Sequence, residues 1–223
     1  MVQMLQLKSR EEWLEKRTSF IGGSDASAIV GLNPYMTNVD LWEIKTGRRK
    51  QRDISNVSVV KYGTDAEKYL RELFKLDFPQ YKVFYEEHNI WLNDKYPFAH
   101  ASLDGWISVL DDEEGVHGKK GVFECKTTEI LQSMQKEKWR NKLPDNYYIQ
   151  VLHYLMVTEF DFAVLKAQLK YNYAGDISLS TKHYFIDREE VKEDIEYLAD
   201  AEAKFAEYIK TDKRPPLVLP DNI

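Results

Sequence analysis

The chain has 223 residues, room for one large domain or two small ones, and its 13% of aromatic residues suffices for a substantial core. A single cysteine excludes a disulfide framework and any cysteine-ligated cluster. The net charge of -6 gives no sign of a general nucleic-acid binder, and no run of about eighteen apolar residues or signal-peptide pattern suggests a membrane span or export, so a soluble intracellular protein is expected.

Ser9-Arg10-Glu11-Glu12 is a capping-box pattern that predicts a helix through about Arg17. Gly22 and Gly23 then make a flexible turn, Ser24 is expected to cap a short helix, and Gly31 to stop it. A helix start after glycines offers free backbone N–H groups that suit a phosphate, although an ordinary turn and cap explains the same spacing. A short helix is expected over Asp40 to Thr46, ended by Gly47, and Arg48, Arg49, Lys50 and Arg52 form a basic loop suited to solvent or to a phosphate backbone.

From about Val57 to Phe78 the spacing is helical, with Tyr62, Ala66, Tyr69, Leu70, Leu73 and Phe74 forming a stripe. Asp65 and Glu67 lie at its opposite edges, and periodicity does not choose between them as a site acid. Strand-like segments follow at Tyr81 to Leu92, Phe98 to Leu110 and Val116 to Lys126, the last two joined by an acidic hairpin loop, Asp111 to Gly115. In the second, His100, Ser102 and Asp104 are expected on one strand face. In the third, Glu124 and Lys126 share a face while Phe123 and Cys125 point into the core. A carboxylate beside an ammonium suits a divalent metal and a water molecule.

Thr127 to Arg140 reads as a polar helix carrying Lys136, Lys138 and Arg140. Pro144 and Asp145 open a helix through Thr158 that is apolar on nearly every side and should be buried. Gln150 and Tyr154 stand on one face of it, either as satisfied core groups or as side chains reaching the site. Closing strands are expected at Phe162 to Tyr171 and Lys182 to Ile186, then an amphipathic helix from Glu189 to Lys210, and an extended tail, Arg214 to Pro220, that docks on a neighbour. This order predicts an α/β fold with a mixed sheet covered by helices.

Five pieces in order, Arg17…Ile21-Gly22-Gly23-Ser24, Gly63-Thr64-Asp65-Ala66-Glu67, Ser102-Leu103-Asp104-Gly105, Glu124-Cys125-Lys126 and Tyr147 to Tyr154, resemble the phage lambda exonuclease family, also called the YqaJ-type viral recombinase nucleases. The resemblance spans about residue 17 to residue 158, and its helix acid follows a glycine by four residues, which is Glu67. It implies a restriction-endonuclease-like, PD-(D/E)xK core. The implied organisation is one nuclease domain over 1–223, with the N-terminal helices of 9–50 helping to bind DNA ends, a catalytic core at about 57–186 and a C-terminal helix and tail at 188–223.

The implied activity is 5′-to-3′ resection of linear duplex DNA, leaving a 3′ single strand for recombination by annealing. The implied cofactor is Mg²⁺, two ions, with Mn²⁺ as a substitute. Asp104, Glu124 and the Cys125 carbonyl would ligate the metals, with Glu67 binding directly or through water. Lys126 would orient or deprotonate the attacking water, Gln150 and Tyr154 would support the site, and Arg17, Ser24 and Ser102 would hold the terminal 5′-phosphate. No family role carries over to His100. The implied partners are DNA ends, other copies in a ring-shaped homotrimer and a single-strand annealing protein, in the cytoplasm of a bacterial host. The alternatives are an endonuclease or single-strand nuclease on the same core, or a non-catalytic DNA-end-binding protein.

Overall fold

The computed structural model describes residues 1–109, 118–173 and 175–219. The predicted acidic loop Asp111 to Gly115 and the last residue of the predicted tail, Pro220, lie outside them.

The main sheet has five strands in the order β2-β4-β5-β6-β7, comprising Tyr81–Phe84, Gly105–Val109, Lys120–Ile130, Phe162–Tyr173 and Asp176–Asp187. Only β5 and β6 run parallel. Their crossover contains α5 (Ser133–Lys138) and α6 (Asp145–Thr158), as parallel strands require. Alternation of side chains splits β5 between two cores. Val122 faces α6 and packs with Leu152 and Leu155, whereas Phe123 and Cys125 face α4 (Ser58–Asp77) and pack with Leu70 and Phe74. The sheet is therefore sandwiched between α4 and α6. Gly63 lets α4 come close, since a Cβ there would lie 3.2 Å from Thr127 Oγ1.

The N-terminal helices α1 (Arg10–Thr18), α2 (Gly23–Ile29) and α3 (Asn38–Lys45) lie beside this sandwich. Ser9 caps α1, accepting from the Glu12 N–H at 3.2 Å. Ser24 is not the cap of α2. The helix starts one residue before it, Gly22 is the N-cap, and the Asp25 carboxylate accepts the Gly22 N–H at 3.0 Å. α3 starts two residues earlier than expected because Thr37 and Asp40 form a reciprocal capping box. The long helix α7 (Lys192–Lys210) sends Phe205 into a small core with Ile21, Leu41 and Trp42.

Several expectations about elements are corrected. The stretch Tyr81 to Leu92 is two strands in different sheets, because β3 (Asn89–Asn93) pairs with the unforeseen β1 (Val2–Gln6). His88, at φ 56°, makes the break. Residues Phe98 to Asp104 are not strand. They make isolated bridges at Ala99 and Ala101, and the Asn89 side chain occupies the backbone of Leu103, donating to its carbonyl and accepting its N–H, both at 2.9 Å. Thr127 to Ile130 continue β5 beside β6 rather than starting a helix.

On α4 the stripe is only partly core. Leu70, Phe74 and also Arg71 are buried, whereas Tyr62, Tyr69 and Leu73 are exposed. In the basic loop, Arg48 pairs with Asp212 at 2.6 Å, and Arg49 pairs with Asp40 and Glu43. Among the described residues Lys50 and Arg52 make no ion pair. The tail lies across α2 and α3, where Asn38 donates to the Pro216 carbonyl at 2.8 Å and accepts the Val218 N–H at 3.0 Å.

Candidate active site

The site opens where β4 leaves β5. The β4 ladder ends with Gly105 opposite Phe123, so the next β5 groups lack a β4 partner. Asp104, one residue before β4, fills that gap by accepting the Cys125 N–H on Oδ2 at 2.9 Å. Its carbonyl accepts from Arg71 Nη1 at 2.8 Å. α4 thus delivers Glu67 and Arg71 from one layer, and α6 delivers Gln150 and Tyr154 from the other.

Glu124 is 2% exposed. Its Oε1 accepts from Lys126 Nζ at 2.6 Å and from Gln150 Nε2 at 3.0 Å, and Gln150 also donates to the Tyr154 hydroxyl at 2.7 Å. Glu124 Oε2 is buried and has no hydrogen-bond partner among the described residues. Burial pushes the Glu124 carboxyl up to about 8, and the nearby Asp104 charge adds to the rise. Glu67 is pushed up to about 8 by the same two causes. Burial disfavours charge on Lys126, but the Glu124 and Asp104 carboxylates outweigh it and hold its ammonium well above its ordinary value. Burial, with the Glu124 charge, raises Tyr154 above the usual phenol range.

Three carboxylates therefore crowd one partly dry opening, and two of them are reluctant to ionise without added positive charge. The donors are hard oxygens, and one buried carboxylate oxygen lacks a partner, so the residues fit a divalent cation. Among the described residues no three His, Cys, Asp or Glu side chains converge closely enough to hold an ion by themselves. Mg²⁺ commonly takes one or two protein carboxylates and fills its shell with water and substrate phosphate.

The expected phosphate residues are placed unequally. The Arg17 guanidinium lies 4.1 Å above the Trp13 ring, and Trp13 Nε1 donates to Ser102 Oγ at 3.1 Å. Ser102 Oγ in turn donates to the Asn89 carbonyl at 2.9 Å. Trp13 thereby links Arg17 to Ser102, and among the described residues no carboxylate pairs with Arg17. Ser24 is exposed on α2, and no described contact joins it to Arg17 or Ser102.

His100 has a structural place. It is 2% exposed, and its Nδ1 lies 3.2 Å from the Ile21 carbonyl. Burial first, then Arg17, hold its imidazole well below the ordinary range. A Cβ on Gly22 would lie 2.7 Å from His100 Cε1, and one on Gly23 would lie 2.5 Å from Tyr154 Cε1. Gly23 lets α2 pack directly on the α6 residues that hold Glu124, and Gly22 lets its N-cap pack on His100. The His100 carbonyl bonds His153 Nε2 at 2.8 Å, and His153 Nδ1 lies 2.7 Å from Glu202 Oε1 of α7.

Sequence reasoning missed Arg71, Trp13, Asn89 and the His153–Glu202 pair. Arg71 follows Glu67 by four residues and so shares its helix face, a signal that was available. Glu202 gave none, since an acid within an amphipathic helix reads as surface.

A family model described as the YqaJ-like viral recombinase domain matches residues 12–161. An uncharacterized protein, YqaJ, of Bacillus subtilis (strain 168) is 33% identical over 150 residues, 67% of this chain and 42% of that protein, so the chain spans less than half the length of that relative. Among solved structures, LHK-Exo in complex with dAMP superposes with a TM-score of 0.61 at 16% identity, over 92% of this chain and 96% of that one. A phage related exonuclease from Haemophilus somnus 129PT gives 0.53 at 13% identity, over 86% and 96% of the two chains. At these identities the likeness is one of fold, the restriction-endonuclease-like arrangement of a mixed sheet flanked by helices.

Proposed function

The chain belongs to the YqaJ-like viral recombinase family, and from that premise we propose that it is a metal-dependent exonuclease that degrades linear duplex DNA from the 5′ end and leaves 3′ single strands. Family membership supports a DNA exonuclease role, the fork at Asp104, Glu124 and Lys126 is the observation that carries metal-dependent hydrolysis, and the 5′ polarity rests on the family resemblance. A phosphodiester is shielded by its own charge, so hydrolysis needs positive charge beside it and a positioned water.

In this reading Asp104, Glu124 and the Cys125 carbonyl hold Mg²⁺, in two ions, with Mn²⁺ as a substitute. Glu67 binds a metal directly or through an intervening water. When bound, the metal neutralises the phosphate and lowers the pKa of a water molecule. Lys126, held beside Glu124, orients or deprotonates the attacking water. Gln150 and Tyr154 fix the rotamer of Glu124. Arg17 and Ser102 anchor the terminal 5′-phosphate beside the fork, with Ser24 reaching it from α2; an arginine fork suits two phosphate oxygens.

The family resemblance adds a ring-shaped homotrimer and a single-strand annealing partner to the proposal. It also adds a cytoplasmic setting; among the described residues no helix is long and apolar enough to cross a membrane.

The test compares linear duplex with 5′-phosphate, linear duplex with 5′-hydroxyl and closed circular DNA, each with Mg²⁺. Loss of 5′-terminal label from linear DNA, leaving the circles intact, is expected. Asp104→Ala should abolish cutting while DNA binding in Ca²⁺ survives. Arg17→Ala should slow digestion of 5′-phosphorylated ends roughly tenfold or more, since a hydrogen bond to a charged group contributes about 1.5–3 kcal/mol, with little effect on 5′-hydroxyl ends. Cutting of circles, or near-normal activity of Asp104→Ala, overturns the reading.

A further inference from the structure

Three consecutive residues lead into the fork. Ser102 is assigned to the terminal phosphate, Asp104 to the metal, and Leu103 stands between them. None of the three lies in a strand. β3 nevertheless reaches toward them, because Trp91 and Ala101 exchange both main-chain bonds, at 2.7 and 3.0 Å. Two residues further along each antiparallel chain, at the next place for ladder bonds, Asn89 stands opposite Leu103. There a side chain takes over from the main chain. The Asn89 amide donates to the Leu103 carbonyl and accepts its N–H, both at 2.9 Å.

Asn89 is 3% exposed, and its amide also donates to the Glu86 carbonyl at 2.9 Å. Its main chain serves the other group. The Asn89 carbonyl accepts from Ser102 Oγ at 2.9 Å and from Trp13 Nε1 at 3.2 Å, and Trp13 carries the Arg17 guanidinium on its ring. Asn89 thus holds the phosphate residues through its carbonyl and the neighbour of Asp104 through its side chain. Asp104 adds little slack of its own, since the Cys125 N–H and Arg71 fix its carboxylate and its carbonyl.

A two-point amide contact fixes distance and rotation together, so Leu103 cannot slide past Asn89 without breaking both bonds. The spacing between the phosphate residues and the fork decides which phosphodiester reaches the fork, and a misplacement of about 1 Å can cost roughly a hundredfold in rate. We propose that Asn89 is a positioning residue that sets this spacing, and with it the length of the product released at each cut. The inference rests on the proposed nuclease function, and it adds a residue outside the carboxylates and the terminal-phosphate residues.

The experiment uses the full chain and duplex labelled at its 5′-phosphate. Products formed in Mg²⁺ are sized, and binding of 5′-phosphorylated and 5′-hydroxyl duplex is compared in EDTA, where no cutting occurs. The wild type should release the label in a single length. Asn89→Ala frees Leu103 and should release the label in mixed lengths, while it keeps the wild-type preference for phosphorylated ends, because the residue 89 carbonyl remains. Trp13→Phe keeps a ring beneath Arg17 but removes the indole donor. It should also mix the lengths, and it should lower the preference in EDTA roughly threefold to tenfold, the loss of a hydrogen bond. Helix α1 has no buried residue, so Trp13→Phe should fold even where Asn89→Ala does not. A single product length from Asn89→Ala, with rates lowered alike on both ends, shows a purely structural role and overturns the proposal. Where that variant does not fold, a single length from Trp13→Phe with an unchanged preference overturns it. Mixed lengths from the wild type overturn it too. The parent reading fails separately, if the wild type leaves linear duplex uncut in Mg²⁺ while Trp13→Phe still loses the preference in EDTA.

Discussion

His153 and Glu202 show how much one buried contact asks of its surroundings. Both are fully buried, Nδ1 lies 2.7 Å from Oε1, and Glu202 Oε2 has no partner among the described residues. Burial raises the Glu202 carboxyl above its ordinary value, more than the His153 charge lowers it. Burial works to lower His153, but Glu202 outweighs it and the imidazole is raised. Asp25 raises both and is itself paired with Lys45 at 2.8 Å. Both groups therefore bind their protons more firmly in the fold than in the open chain. Their contribution is fully present below the unfolded values, 4.5 and 6.5, and is lost as pH rises through the higher folded ones. The melting temperature of the wild type should fall as pH rises from 4.5 past 6.5 more steeply than that of Glu202→Gln. Parallel slopes in a thermal-shift series would show that the pair does not couple to protons. The pair was illegible in the sequence, because nothing in residue order says that residue 202 returns to residue 153. Glu124 and Lys126 were legible, since strand alternation alone puts them on one side.

Helix α2 is placed by the absence of side chains. A methyl group on Gly23 would meet Tyr154 at 2.5 and 2.9 Å and Gln150 at 3.0 Å. In an exposed helix Gly→Ala is favourable by up to about 1 kcal/mol, but overfilling a packed contact costs about 1–3 kcal/mol. Gly23→Ala should therefore destabilise the protein, lowering the melting temperature by roughly 2–4 °C per kcal/mol. It should also reduce kcat through the Gln150–Glu124 bond. An unchanged or higher melting temperature would mean that α2 shifts freely. The helices were largely readable because their caps and periodicity are local: Ser9 does cap α1, and α4 runs nearly over its predicted length. The strands were harder. Tyr81 to Leu92 looks continuous by composition, yet it divides between two sheets because β1 claims Asn89–Asn93. Phe98 to Asp104 has strand composition, but Asn89 holds its backbone in place of a neighbouring strand.

At the scale of the molecule, distant parts of the chain close over each other around residues 21 to 42. Asn38, 2% exposed, holds the tail at Pro216 and Val218 in the manner of a strand partner. Asn38→Ala removes both bonds to an exposed stretch of tail, each such bond contributing about 0.5–1.5 kcal/mol. Amide exchange at residues 217–219 should accelerate strongly while β5 and β6 stay protected. Unchanged protection of the tail would show that packing of Val218 on Gly31 suffices. The seating of Phe205 among Ile21, Leu41 and Trp42 has a further consequence, during synthesis. The residues that form α2 and α3 leave the ribosome roughly 160 positions ahead of the helix that completes their core, which at about 5–20 residues per second is a wait of roughly 8–32 s. During that interval Asp104 and Glu124 are also synthesised, while the segment that carries Ser24 lacks its backing from α7. On the proposed reading, a nascent chain would thus hold the residues assigned to cutting before α7 backs the segment assigned to choosing an end.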